Sequence, residues 1–135
     1  MSIEDHIVVP VDRSFTATYG HEHVDATHGR LTVGPRHLGA HGAVHSGVYA
    51  SLAETIASTA TAVEMVPQGF IVSGLSNATY VLADVREGVL EATASCRARV
   101  EGEWLWDVEI RAGDVLAAQA TIVIAVRPAS RPAPR

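Results

Sequence analysis

Between residues 48 and 63 the chain reads VYASLAETIASTATAV, sixteen residues free of proline and glycine, and no other stretch has that helical character. The spacing predicts one helix, starting near Ser46 or Gly47 and running to about Glu64, with Leu52, Ile56, Ala60 and Val63 on an apolar face. Pro67-Gln-Gly69 closes it. Everything around this helix reads as strand. Upstream, segments 16–25 and 29–36 carry β-branched residues around Gly29-Arg30, and residues 37–46 form a loop rich in Gly and His. Downstream, strands are expected at about 70–83, 88–100, 103–111 and 114–126, broken at Arg86-Glu-Gly88, Glu101-Gly102 and Ala112-Gly-Asp114. One helix followed by a meander is most simply an α+β arrangement, an antiparallel sheet of five to six strands wrapped around a long central helix. A single helix covers one face of such a sheet, so exposed edges favour dimers or larger assemblies.

At 135 residues the chain fits one domain, taken here as residues 1–127, with a Pro-rich, flexible tail at 128–135. The net charge is −5, and all ten cations are Arg. That balance argues against nucleic acid as a partner. The single cysteine, Cys96, excludes an intramolecular disulfide and any Cys-based zinc cage, which makes a reducing cytoplasm the expected location. The opening MSIEDHIVVPVDRS lacks a basic region followed by a long apolar run, so no signal peptide is expected, and no apolar run is long enough for a membrane span. Six of the seven histidines lie between His21 and His45. A metal site is not expected from them, because Gly39 and Gly42 break helical spacing and no carboxylate or Cys completes a ligand set. Trp104 and Trp106 share a strand face and read as packing residues, Arg97 and Arg99 as a second shared face, and Cys96 as a small buried residue.

Glu54 is the anomaly. Gly47, Ser51, Glu54, Ser58 and Thr61 form one helical stripe, and a solvated stripe would carry long charged side chains rather than Gly, Ser and Thr. The stripe suits close approach by another surface. Just before it, His41, Gly42, His45, Ser46 and Gly47 lead into the helix start, where free backbone N–H groups can hold developing negative charge. A polarised carbonyl beside a carboxylate is the minimum for acyl transfer.

The stretch GAVHSGVYASLAETIAS resembles the catalytic segment of hotdog-fold acyl-CoA thioesterases, closest to the branch of the Arthrobacter-type 4-hydroxybenzoyl-CoA and 1,4-dihydroxy-2-naphthoyl-CoA thioesterases. That branch reads G-x-V-H-G-G-x-x-x-x-L-A-E-x-x-A-[ST]. The likeness continues through VSGLSNATYVLADVREG (72–88), EWLWDVEIR (103–111) and TIVIAVRP (121–128). It implies a hotdog fold and hydrolysis of an aromatic or otherwise bulky acyl thioester, carried on CoA or on a carrier protein, without a cofactor. It further implies Glu54 as nucleophile or general base, the Ser46 N–H as carbonyl donor, Ser58 as an aid in placing water or the carboxylate, and His41, His45 and Gly47 as substrate contacts. The active site would lie between subunits of a homodimer or homotetramer. Two alternatives stand beside this reading: a hotdog dehydratase or hydratase, and a non-catalytic domain that binds acyl thioesters. Departures from the pattern are Ser46 in place of Gly, Gly39 in place of an amide residue, and Ala83 and Glu101-Gly102 where the branch places an Arg and small hydroxyl residues near CoA. Either CoA docks differently, through Arg86, Arg97, Arg99 or Arg127, or the thioester is carried by something else, such as a carrier protein's phosphopantetheine.

Overall fold

The computed structural model describes Glu4 and residues 7–130; residues 131–135 of the predicted tail lie outside the described part. Six strands, β1 (Glu22–Asp25), β2 (His28–Thr32), β3 (Phe70–Val81), β4 (Val89–Val100), β5 (Glu103–Ala112) and β6 (Val115–Pro128), form one sheet in the order β1-β2-β4-β5-β6-β3. Every neighbouring pair is antiparallel. The long helix, α2 (Ser46–Met65), packs across one face of it. The sheet therefore wraps the helix as the pattern of breakers predicts. The turns fall at the expected places because Gly88, Gly102 and Gly113, each with a left-handed φ, sit directly before β4 and β5 and, with one residue between, before β6.

The core is built where two periods meet. From α2, Tyr49, Leu52, Ala53, Ile56, Ala57 and Ala60 are buried. The sheet answers with Leu90, Ala92 and Ala94 of β4, Trp104, Trp106, Val108 and Ile110 of β5, and Ala118, Ala120, Ile122 and Ile124 of β6. These alternate along their strands, as one covered sheet face requires. The many alanines on both sides let helix and sheet approach closely. Val63, assigned from spacing to the apolar face, is instead exposed. In that last turn Glu64 reaches Arg99 of β4 in a bidentate ion pair, 2.8 Å at its longer-range contact, and the helix end faces solvent.

Two expectations fail for local reasons. The first strand, expected over 16–25, begins only at Glu22. Residues Phe15–Tyr19 form a one-turn helix, α1, despite two threonines of high β-propensity. Gly20 ends it in the left-handed conformation (φ 73°), which a Cβ would disfavour. Tertiary contact then overrides propensity. Tyr19 is buried and its hydroxyl lies 2.7 Å from Thr55 Oγ1 and 3.3 Å from Ser51 O on α2. Second, Arg97 and Arg99 do not share a face. A bulge between Cys96 and Ala98 inserts one residue against β5 and inverts the alternation. Arg97 pairs with Asp107 on the outer face, its Nε 2.8 Å from a carboxylate oxygen, whereas Arg99 stacks 3.9 Å over the Trp104 ring on the helix side. Trp104 and Trp106 pack in the core, and Trp106 Nε1 donates to the buried Thr61 hydroxyl at 2.9 Å. Cys96 is half-buried rather than buried.

Candidate active site

The loop before α2 is held from both sides. Gly39 N–H donates to Ala43 O and Val44 N–H to Val85 O, while Arg86 donates to His41 O at 3.0 Å. The loop's histidines do separate jobs. His37 is buried. Its Nδ1 accepts from Gly34 N–H, so the proton sits on Nε2 and is donated to Tyr19 O, 2.6 Å away. That bond fixes one tautomer. His41 is exposed, its ring 3.2 Å from where a Gly39 side chain would start, closer than an ordinary van der Waals contact. His45 is the N-cap of α2: its Nδ1 accepts from Gly47 N–H at 2.9 Å and its carbonyl from Val48 N–H. Among the described residues no group of three His, Cys, Asp or Glu side chains is arranged to hold a metal ion.

This cap decides which helix-start donors remain. Gly47 N–H is satisfied by His45, which leaves the N–H of Ser46, the first residue of the helix, without an acceptor among the described residues. Ser46 is exposed, and Ser58, one turn beyond Glu54, is half-buried. Beside the helix start lies a cavity of about 330 Å³ lined by Phe15, Tyr19, Arg36, Leu38, His45, Gly47, Val48 and Ser51. Its walls are chiefly apolar, with Arg36 at the rim. The Tyr19 phenol reaches from this cavity to α2, and its pKa is raised, mainly by burial and further by the nearby negative charge of Glu54.

Glu54 is half-buried and leans on β3. Its Oε1 occupies the space in which a Cβ on Gly74 would stand, and its Cδ lies 2.9 Å from that point. Its Oε2 is 3.4 Å from Asn77 Nδ2, which also donates to Ala50 O at 2.9 Å. Thr79 Oγ1 completes the chain by donating to Asn77 Oδ1 at 2.6 Å. Sequence reasoning passed over Gly74 and Asn77. A signal existed: β3 loses apolar alternation through Ser73-Gly-Leu-Ser-Asn77, all exposed, and carries a bulge between Gly74 and Ser76. What that signal lacked was the contact itself, made across twenty-three residues of sequence.

The proposed CoA cations are otherwise engaged. Arg86 holds His41 O, Arg97 holds Asp107, Arg99 holds Glu64, and Arg127 holds Gly102 O and Val126 O.

No family model matches the sequence. Solved structures match it along most of its length. A Mycobacterium tuberculosis protein provisionally assigned as an esterase superposes with a TM-score of 0.80 at 28% identity, over 87% of this chain and 98% of that one. A thioesterase of Haemophilus influenzae gives 0.80 at 23% identity, covering 97% and 94%. A mutant thioesterase of Pseudomonas aeruginosa gives 0.81 at 21%, covering 93% and 91%. The chain has the hotdog fold.

Proposed function

We propose that this protein is a thioester hydrolase: an acyl thioester and water give a carboxylic acid and a thiol, with Glu54 as the reacting carboxylate. The observation that carries this reading is the placement of Glu54. It is a half-buried acid seated over Gly74, two turns along α2 from a helix-start N–H that has no acceptor among the described residues. A carboxylate retained against a strand costs stability unless it has a use. The solved relatives named as thioesterases share the fold and support the same class of reaction.

Elementary geometry fits the chemistry. Ser46 and Glu54 are eight residues apart, so their Cα atoms are about 12 Å apart along the axis. A helical side chain leans back toward the N-terminus, and a Glu recovers about 4–5 Å of that span. The remaining gap of about 7–8 Å matches one thioester carbonyl. That carbonyl would accept from Ser46 N–H at about 3 Å and present its carbon about 3.2 Å from the carboxylate. Glu54 then attacks the carbonyl carbon and the thiolate leaves, giving a transient anhydride that water hydrolyses; or Glu54 takes a proton from an attacking water and the C–S bond breaks as the tetrahedral intermediate collapses, the proton going to the thiolate. In either course the Ser46 N–H and the helix dipole stabilise the oxyanion. The Ser46 side chain narrows the approach without removing this donor.

The cavity lined by Phe15, Leu38 and Val48 suits a bulky, aromatic acyl group, with His45 and Gly47 at its edge. His41, its ring beside Gly39, stands in for the amide residue expected there. Ser58 aids in placing water. The four arginines already engaged by neighbours favour a thioester whose carrier makes few phosphate contacts. β3 is an edge strand of twelve residues with Ile71, Leu75, Tyr80 and Val81 exposed, which supports pairing with a second copy and a site shared between subunits.

The decisive experiment is thiol release from a panel of acyl-CoA and acyl-carrier-protein thioesters by the wild type and by Glu54→Ala. Turnover should fall by several orders of magnitude in the variant, with thermal stability and substrate affinity largely retained. Near-wild-type cleavage by Glu54→Ala would exclude the mechanism. An altered acyl chain without thiol release would indicate a dehydratase or hydratase, and binding alone a non-catalytic domain.

A further inference from the structure

Glu54 does not lie free in its cleft, and the groups that hold it come from one strand. Asn77 Nδ2 donates to two acceptors on α2, Ala50 O at 2.9 Å and Glu54 Oε2 at 3.4 Å. The orientation of this amide follows from chemistry. Ala50 O can only accept, so the NH₂ side must face the helix. The carbonyl side then faces Thr79, whose hydroxyl donates to it at 2.6 Å. On the other side, Gly74 leaves room for Oε1 where any Cβ would collide with it. The two oxygens of Glu54 are therefore inequivalent: one is tied to an amide and the other rests on bare backbone.

From this we infer that Asn77, oriented by Thr79, is a positioning residue that ties down Oε2 and leaves Oε1 as the oxygen that meets the substrate or the attacking water. The inference rests on the hydrolase reading for its catalytic consequence, but the placement itself is measurable without turnover. A purely structural role is the competing explanation, because the bond to Ala50 O also fastens β3 to α2. The two roles separate through the charge at position 77. Few titratable groups face Glu54. Tyr19 does so from α1, and His45 caps the helix start. β3 carries no charged residue from 70 to 81, and the sheet face under α2 is apolar around the helix centre.

The test follows the Glu54 carboxyl by carbon-13 NMR across pH in the wild type, Asn77→Asp, Asn77→Ala and Thr79→Val, with steady-state kinetics on the same proteins. Asn77→Asp preserves shape and replaces a donor with a like charge. It should raise the midpoint of Glu54 by about one pH unit and move the acid limb of the rate profile with it. Asn77→Ala should lower kcat about tenfold with KM within about twofold, the size expected for one long bond to a charged group. Thr79→Val should do the same more weakly. Because Asn77 and its neighbours on β3 are exposed, these variants are expected to fold, and thermal melts check this. A Glu54 midpoint unmoved in Asn77→Asp overturns the placement. A kcat unchanged in Asn77→Ala, in an enzyme that Glu54→Ala inactivates, overturns the catalytic role alone. Full turnover in Glu54→Ala would instead sink the hydrolase mechanism, while the titration still judges the tie between Asn77 and Glu54.

Discussion

Replacing Gly74 with alanine isolates the fit between the acid and the strand beneath it. A Cβ at this position overlaps Glu54 Oε1 and stands 2.9 Å from Cδ, against a comfortable carbon–carbon separation of about 3.5–4.0 Å. The carboxylate carbon must withdraw by about 0.6–1 Å, and Oε1 further. Misplacing a reacting group by about 1 Å costs on the order of 10²-fold in rate. The backbone is not the obstacle, because Gly74 has no left-handed φ. A strand alanine is favoured over glycine by about 0.5–1 kcal/mol. The expected signature is thus a split: Gly74→Ala melts at or slightly above the wild-type temperature but turns over thioester about 100-fold more slowly. Differential scanning fluorimetry and a thiol-release assay on the same preparation read both halves, with Ser73→Ala as a neighbour control. Turnover within about threefold of wild type would refute the reasoning, since the acid would then have no need of that space.

Two further outcomes concern stability. His21 packs between Tyr19 and His23, with both ring nitrogens buried and unpaired, and its pKa is lowered to about 4, first by burial and then by His23. The unfolded chain binds this proton near pH 6.5 and the folded chain only near 4. Stability from this group is therefore complete above pH 6.5 and lost as pH falls toward 4. Because the residue is only half-buried, the contribution is about 1–2 kcal/mol rather than the full shift. Urea denaturation of His21→Phe across pH 4–7 should show a flatter profile than wild type, and parallel profiles would contradict the assignment. Thr61, fully buried, accepts from Trp106 Nε1 and donates to Ala57 O at 2.8 Å. Thr61→Val strands the indole N–H and should cost about 1–3 kcal/mol in chemical denaturation, part of which Thr61→Val combined with Trp106→Phe restores.

The sequence exposed the fold through its punctuation. One unbroken helix and three turn signals placed α2 and β3 to β6 within a few residues, because glycine and proline act locally. It concealed what depends on tertiary contact. Phe15–Tyr19 looked extended until Tyr19 met Thr55, and Arg97 and Arg99 looked like neighbours until a bulge parted them. The candidate site was half legible. Glu54 stood out because its stripe is too small and polar for its charge. Its counterparts Gly74 and Asn77 did not, since an exposed Gly-Leu-Ser-Asn run on a strand carries no period that points to a helix. The His45 cap was equally hidden: the resemblance named His45 and Gly47 as substrate contacts, whereas in the fold the His45 ring nitrogen accepts from the Gly47 N–H.

Among the described residues β3 pairs with one strand, β6, and it bears Gly74, Asn77 and Thr79. The stretch from Ser46 to Val81 thus holds the acid, the open N–H and the strand residues that touch the acid, as one helix, a short 3-10 turn at Val66–Gln68 and one strand. The rest of the sheet is a platform beneath it. The core between β4, β5 and α2 holds most of the buried apolar packing, whereas the strand groups that touch Glu54 sit on an edge strand. Weakening that edge is therefore expected to move Glu54 before it opens the core, and a second chain laid along it would brace it.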